Sequence, residues 1–411
     1  MKSLDSLYAK LQDASLSLDA DMSRDWITIQ SRFQHEGLSF LTITLPAFAS
    51  WLEQSIEAEH ALTTIFPSFR KAKYRAFPCF LQGLTSRVFD SRTGDLLPEA
   101  DPSAVFFIRT ICTYFKKVKL PCSRARQRLA VKKFVDTDVS LPDHIVLDNV
   151  TLSVANVVVS SLKYFLQDDS LPKHGKGATY EKISGNRKYE VREFYERWIG
   201  VLDPEELYGF DRPGDHPLIT VSLESEKPCR LSLVPKTLKS PRVIAVEPVA
   251  MQFAQQLVAD RLISAMRSSP LTRHIDFTDQ SVNRGLAKKG SLDGSVATID
   301  LSEASDRVSL SLVNALFQSD TVLLEQLLAC RSTAVEIPSD VASAERILVL
   351  RKYSTSGSAL TFPVETLVFF ILSLSAVVKK SMGSGSLVRS ISQLAPTVSV
   401  YGDDIVVPSH A

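Results

Sequence analysis

Through residues 1 to about 170, apolar positions recur at the spacing of amphipathic helices, as at Trp51, Leu52, Ile56 and Leu62, and predict a mostly helical N-terminal region. From Leu171 to Pro217 the chain turns to proline and glycine and predicts loops. Beyond Ile219, short β-branched runs alternate with helical spacing. Val296 to Ile299 reads as a strand that delivers Asp300 at its end; Ser302-Glu-Ala-Ser305-Asp306 follows, before helical spacing at Val308, Leu312, Ala315 and Leu316. The continuous apolar stretch Leu367 to Val378 ends at Lys379-Lys380, is too short to span a bilayer, and predicts a buried helix. Near the C-terminal end, Val398-Ser-Val and Ile405-Val-Val flank Tyr401-Gly402-Asp403-Asp404, a strand, turn, strand pattern with both acids at the tip. Together these elements predict an α+β body.

Composition changes this picture little. A chain of 411 residues, 45% hydrophobic, can bury a large core and hold more than one subdomain. Its net charge of +1 gives no global attraction to a polyanion, so any nucleic-acid contact must come from local basic surfaces. One candidate is the acid-free run from Lys116 to Lys133; a solvated face gives the same pattern. The 5 cysteines show no C-x-x-C pairing, which argues against zinc or a disulfide framework and for a reducing compartment. Met1 to Asp25 lacks the charged and apolar regions of a signal peptide.

The candidate chemistry is acidic and basic in turn. Two adjacent carboxylates at a turn, Asp403 and Asp404, repel each other and invite a cation; hard oxygen donors suit magnesium, and nucleotidyl transfer is chemistry that a pair of such ions drives. A solvated Asp-rich turn is the alternative. Asp300 is placed to bridge metals with these two acids, and Asp306 to lie near an incoming sugar, although Ser305 or Asp306 also suits a helix cap. Upstream, Lys236, Lys239 and Arg242 space three cations along an arm, Val234 to Pro248, whose prolines forbid a regular helix. The arm suits a triphosphate and its pyrophosphate leaving group, or an exposed solubilising loop. The small-residue loop Ser354 to Glu365 suits contact with template backbone and the nascent sugar, or a plain helix start. The loop His174 to Thr179 offers close backbone approach to phosphate, or an ordinary surface turn.

Taken in this order, the segments resemble the RNA-directed RNA polymerase, or replicase β subunit, of the leviviruses, the Qβ-type RNA bacteriophages. The resemblance runs from about Val234 to Pro408. It rests on V-P-K-x-x-K-x-x-R-x-I-A-x-E-P, on D-Q-x-x-N (Asp279, Gln280, Asn283), on D-L-S-x-A-S-D (Asp300 to Asp306), on T-F-x-x-E (Thr361, Phe362, Glu365) and on Y-G-D-D (Tyr401 to Asp404). It implies a right-hand polymerase with fingers and palm present and the thumb largely missing. Residues 1–235 would form the N-terminal region and fingers, 236–295 fingers with the nucleotide-binding arm, and 296–411 an incomplete palm. It implies catalytic, magnesium-binding Asp300, Asp403 and Asp404, and nucleotide binding by Lys236, Lys239, Arg242, Asp306 and Ser358, the last standing where better-known members carry Asn. Implied partners are template and nascent RNA, ribonucleoside triphosphates, host elongation factors Tu and Ts and a ribosomal protein, in the bacterial cytoplasm with no membrane. Because family members continue well beyond the point matching Ala411, a truncated and poorly active product is expected. A reverse transcriptase-like polymerase and an inert RNA-binding fragment are the competing readings.

Overall fold

The computed structural model describes residues 2–63, 68–162, 171–209, 217–342, 346–381 and 386–411. The chain divides into two compact units, the first comprising Met1–Gln127 with Leu233–Arg242, the second Arg128–Ser232 with Val243–Ala411.

The first unit is helical, as its apolar spacing predicts. It holds α1 (Lys2–Leu18), α2 (Ser23–Glu36), α3 (Leu45–Glu57), the short α4 (Gln82–Thr85) and α5 (Pro102–Thr113). Its core is aromatic: Phe48 meets Trp51, Phe69 and Phe80 at ring-centroid distances of 5.1, 5.4 and 5.3 Å. Asp101 caps α5 by accepting from Ser103 N and Ala104 N. Asp25 is buried against Leu81, whose backbone N–H donates to it at 2.6 Å; burial still raises its carboxyl to about 6.

Helix α6 (Arg124–Val139) leads into the second unit, followed by α7 (Asn149–Ser160) and α8 (Pro204–Tyr208). The stretch expected to be loop carries short elements, among them β1 (Glu193–Tyr195), which pairs in parallel with β2 (Ile219–Val221); residues 210–216, with Pro213 and Gly214, lie outside the described residues. Strands β3 (Cys229–Val234) and β4 (Arg242–Val246) are followed by α9 (Val249–Ser268), α10 (Ser281–Asp293), β5 (Val296–Asp300), α11 (Ala304–Arg307), α12 (Leu310–Phe317), α13 (Thr321–Ala329), β6 (Ala334–Glu336) and β7 (Ile347–Val349). Then come α14 (Thr361–Ser381), α15 (Leu387–Leu394), β8 (Ser399–Tyr401) and β9 (Asp404–Pro408). One sheet has the order β4-β3-β6-β7, another β5-β9-β8.

Helix α14 organises the second core. It is apolar on nearly every face, which marks a helix enclosed by protein, and Val364, Leu367, Val368, Phe370, Ile371 and Leu374 are fully buried. The helix outruns the apolar stretch read from sequence and at 21 residues is long and apolar enough to cross a membrane, yet 78% of its apolar window is buried inside the protein, as the sequence reading of a core helix expects. The antiparallel sheet β5-β9-β8 packs against it, with Ile405, Val406 and Val407 of the middle strand β9 all buried. β5 is an edge strand, and its residues from Ala297 to Asp300 are exposed.

Candidate active site

Strand β9 pairs with β8 through a two-residue turn, Gly402-Asp403, because Tyr401 is the register partner of Asp404. Gly402 has a φ of 64° and Asp403 does not share the positive φ, the pattern of a type II′ hairpin turn with glycine at its first central position. A second constraint requires glycine here. A Cβ on Gly402 would sit 2.6 Å from the Phe362 ring. The first turn of α14 is the seat of this hairpin: Phe362 packs edge-on to Tyr401 at 4.9 Å, and the Gly402 N–H donates to the Thr366 hydroxyl at 3.0 Å. Phe362, Glu365 and Thr366, spaced three and four apart, share the helix face turned to the tip.

On the other side β9 pairs with β5, and the register places Asp300 directly opposite Asp404. Residues opposite one another in an antiparallel pair project to the same face with Cβ atoms about 5 Å apart. The carboxyl of Asp404 is raised by partial burial, then by Asp403, then by Asp300. Glu365 joins this cluster from the helix. Burial, followed by the charges of Asp403 and Asp306, raises its carboxyl to about 8. A cation among these acids would be held by oxygen alone, the donor set of magnesium or calcium. Among the described residues no three His, Cys, Asp or Glu side chains close around one point as a finished metal cage. The acids fit a divalent ion as an open donor set, to be completed by water or substrate oxygen.

Helix α10 supports the same tip from its N-terminal turn. The Gln280 side chain donates to Asp404 Oδ2 at 3.2 Å, while Asn283 donates to the Asp404 carbonyl at 2.8 Å and accepts from the Ser399 hydroxyl at 2.6 Å. A cavity of about 310 Å³ opens between this helix and the β5–β9 pair, lined by Gln280, Asn283, Arg284, Thr298, Asp300 and Asp404.

Asp306 lies in the corner after β5, in the same unit. Neither Ser305 nor Asp306 provides the cap that α12 needs: Ser309 does, accepting from Leu312 N at 3.0 Å. Asp306 is instead paired with Lys352 at 3.0 Å. In the loop before α14, Ser358 is buried and its hydroxyl accepts from Leu360 N at 3.2 Å, a bond local to the loop. That loop lies tight against β4. Ala245 N donates to the Ser356 carbonyl at 2.9 Å, and a Cβ on Gly357 would fall 1.8 Å from the Ala245 carbonyl oxygen.

The arm residues Lys236, Lys239 and Arg242 are assigned to the first unit, all three exposed and, among the described residues, none in an ion pair. The arm is an ordered turn, with Thr237 and Ser240 hydrogen-bonded to each other and Arg126 donating to the Leu238 carbonyl at 2.8 Å. The basic run from Lys116 is partly used internally, since Lys133 is paired with Glu303. In the loop at His174, the imidazole stacks on Phe253 at 4.3 Å and burial lowers its pKa to about 4, while Lys188 donates to the carbonyls of Gly175 and Gly177. Lys176 remains exposed. Sequence reasoning did not single out Lys352, nor give Gln280, Asn283 or Glu365 a role; the only signal was that the last three fall within quoted motifs.

Residues 220–411 match the family described as RNA replicase, beta-chain. Over 182 residues, 43% of this chain, the sequence is 36% identical to the RNA-directed RNA polymerase subunit beta of Enterobacteria phage SP and 33% identical to that of Escherichia virus Qbeta. It is 34% identical over 178 residues to the RNA-directed RNA polymerase beta chain of Escherichia phage MS2. These matches take in only 27%, 26% and 28% of the relatives' own lengths, so the chain spans little more than a quarter of the proteins it resembles. Over that stretch the chain is similar to the levivirus replicase beta subunits, and the stretch contains Asp300, Asp306, Asp403 and Asp404.

Proposed function

We propose, from the similarity of residues 220–411 to the RNA replicase beta-chains, that this chain carries the palm and part of the fingers of an RNA-directed RNA polymerase that copies a phage RNA genome from ribonucleoside triphosphates. One observation carries the reading: Asp300 and Asp404, remote in sequence, are register partners at one end of a sheet, with Asp403 in the adjoining turn. A divalent ion held by Asp300, Asp403 and Asp404, with magnesium the proposed species, would supply Lewis acidity for a primer 3′-hydroxyl and for a leaving pyrophosphate.

The chain's own residues supply position and charge. Asp300, Asp403 and Asp404 are the proposed ligands, held by the β5–β9 register and by a turn that Phe362 and Thr366 seat on α14. Burial and the charge of Asp403 raise the Glu365 carboxyl to about 8, which favours its neutral form and limits the negative charge beside Asp403. Asp306 is the proposed contact for the ribose 2′-hydroxyl, and Ser358 a contact for the nascent pair's sugar. Lys236, Lys239 and Arg242 are proposed to hold the triphosphate, with Arg242 offering a planar fork to phosphate oxygens. Template and nascent RNA are the macromolecular substrates. By the same resemblance, host elongation factors Tu and Ts and a ribosomal protein are proposed partners, and the host cytoplasm the site of action.

Replacing Asp403 with Asn tests the reading. It is expected to abolish incorporation of labelled nucleotide on a primed RNA while leaving RNA affinity within about twofold, since one carboxylate adds little to backbone contacts. Undiminished incorporation by Asp403→Asn refutes the assignment.

A further inference from the structure

Lysine is among the residue types least often fully buried, and a buried ammonium costs several kcal/mol to desolvate. Lys352 has a side chain with 0% exposure. Its Nζ lies 3.0 Å from Asp306 Oδ1, 3.9 Å from Asp138 Oδ1 and 3.6 Å from the centroid of the Phe134 ring. The backbone beneath it is held on every side. Asp138, itself fully buried, accepts from Arg351 N at 3.1 Å and from Lys352 N at 3.0 Å, so both of its oxygens are engaged by this segment. Tyr353 N donates to the Val308 carbonyl and Leu310 N to the Arg351 carbonyl, each at 2.8 Å, binding the segment to the chain that follows Asp306. The backbone that carries the ammonium is therefore anchored, and the buried side chain is confined by Phe134, Asp138 and Asp306.

A methionine or leucine would fill the space against Phe134, and replacing a whole buried ion pair by apolar groups is often neutral for stability, but removing the lysine alone would leave the buried Asp138 carboxylate without its counter-charge. What a cation supplies at this point is a counter-charge for the buried Asp138 and, in addition, a donor for Asp306. The side chain of Asp306 keeps 22% of its surface exposed, so one oxygen is tied to Lys352 and the carboxylate still has an open edge. A carboxylate only accepts hydrogen bonds, and a sugar 2′-hydroxyl is a donor that deoxyribose lacks.

We infer that Lys352, backed by Asp138, is a positioning residue that fixes the orientation of the Asp306 carboxylate and so sets discrimination between ribose and deoxyribose. The inference rests on the polymerase reading above for the role of Asp306. Lys352 is also the counter-charge of Asp306, the ammonium standing 3.0 Å from that carboxylate.

The test compares ATP with dATP, by displacement of a fluorescent ATP analogue from the whole chain and, separately, by incorporation on a primed RNA. Lys352→Met is expected to lower the ATP preference about tenfold, the worth of one hydrogen bond to a charged group, through weaker ATP binding with dATP little changed. Asp306→Asn is expected to do the same, and the double variant to lose no more than either alone, because both act on one contact. If Lys352→Met melts well below the parent, the paired replacement of Lys352 by Met and Asp138 by Asn, which removes one charge of each sign, is measured instead with the same expected loss. A Lys352→Met or paired variant that folds like the parent and keeps its ATP preference overturns the inference and leaves the polymerase reading standing. A parent that prefers ATP in binding but incorporates nothing counts against the polymerase reading alone; a parent that binds ATP and dATP equally removes the role of Asp306 and the inference with it.

Discussion

Asp300 faces Asp404 across the β5–β9 pair, residue opposite residue, so two carboxylates occupy a cross-strand position that elsewhere in sheets favours opposite charges. The arrangement stores repulsion at the place where the proposed chemistry needs negative charge. Without divalent ions, Asp300→Asn is therefore expected to stabilise the second unit by about 0.5 to 1 kcal/mol, while reducing the stabilisation that added magnesium confers. Urea unfolding with chelator and with magnesium measures both; equal stability of parent and variant in chelator would contradict the repulsion.

Gly402 is held by two independent constraints, its positive φ of 64° and the Phe362 ring 2.6 Å from where a Cβ would lie. Gly402→Ala is expected to destabilise by about 2 kcal/mol, from backbone strain plus crowding of an aromatic that is itself packed against Tyr401. At Gly357 the obstacle is backbone, the Ala245 carbonyl oxygen at 1.8 Å, which cannot swing aside as a ring can. Gly357→Ala should therefore cost more than Gly402→Ala in thermal melts, and the reverse order would contradict the packing described.

The buried carboxyl of Asp25 makes the first unit pH-sensitive. Its pKa is raised from 3.8 to about 6, so the folded chain holds this proton more tightly than the unfolded chain does. The stability it contributes is full below pH 3.8, declines as pH rises to about 6, and is then level. The decline amounts to at most about 3 kcal/mol. Asp25→Asn keeps an acceptor for the Leu81 N–H and is expected to remove this decline, so the variant should melt above the parent at pH 7. Melting curves from pH 4 to 7 that run parallel for the two proteins would disprove it.

Arg242 is exposed and, among the described residues, takes part in no ion pair. Arg242→Ala should leave the melting temperature unchanged, within about 0.5 kcal/mol, and weaken triphosphate affinity about tenfold through loss of a charge-assisted fork. Arg242→Lys should recover only part of that affinity, because an ammonium cannot grip two phosphate oxygens in one plane. Nucleotide titrations at two salt concentrations read both effects.

Much of this protein was legible in residue order. The β-branched runs flanking Tyr401-Gly-Asp-Asp404, the strand ending at Asp300 and the apolar helix around Leu367 to Val378 follow from periodicity and turn chemistry, which act over a few residues. The aspartates stood out for a similar reason, since adjacent carboxylates on a hairpin turn are locally conspicuous. Other features were invisible at that range. The short strand within the glycine- and proline-rich stretch, Glu193 to Tyr195, exists because Ile219 to Val221 lies beside it. Lysine carries no local mark of burial, so nothing around Lys352 announces that its ammonium meets Asp306, 46 positions away.

Sequence by itself determined the menu of elements, the turn at Gly402 and the identity of the candidate acids, because backbone propensity and side-chain chemistry are properties of neighbours. Only the tertiary structure decided which acids face one another, which serine caps α12, and which cation is locked beside the Asp306 carboxylate. Those choices depend on strand register and burial, and both arise from the simultaneous packing of segments far apart in the chain.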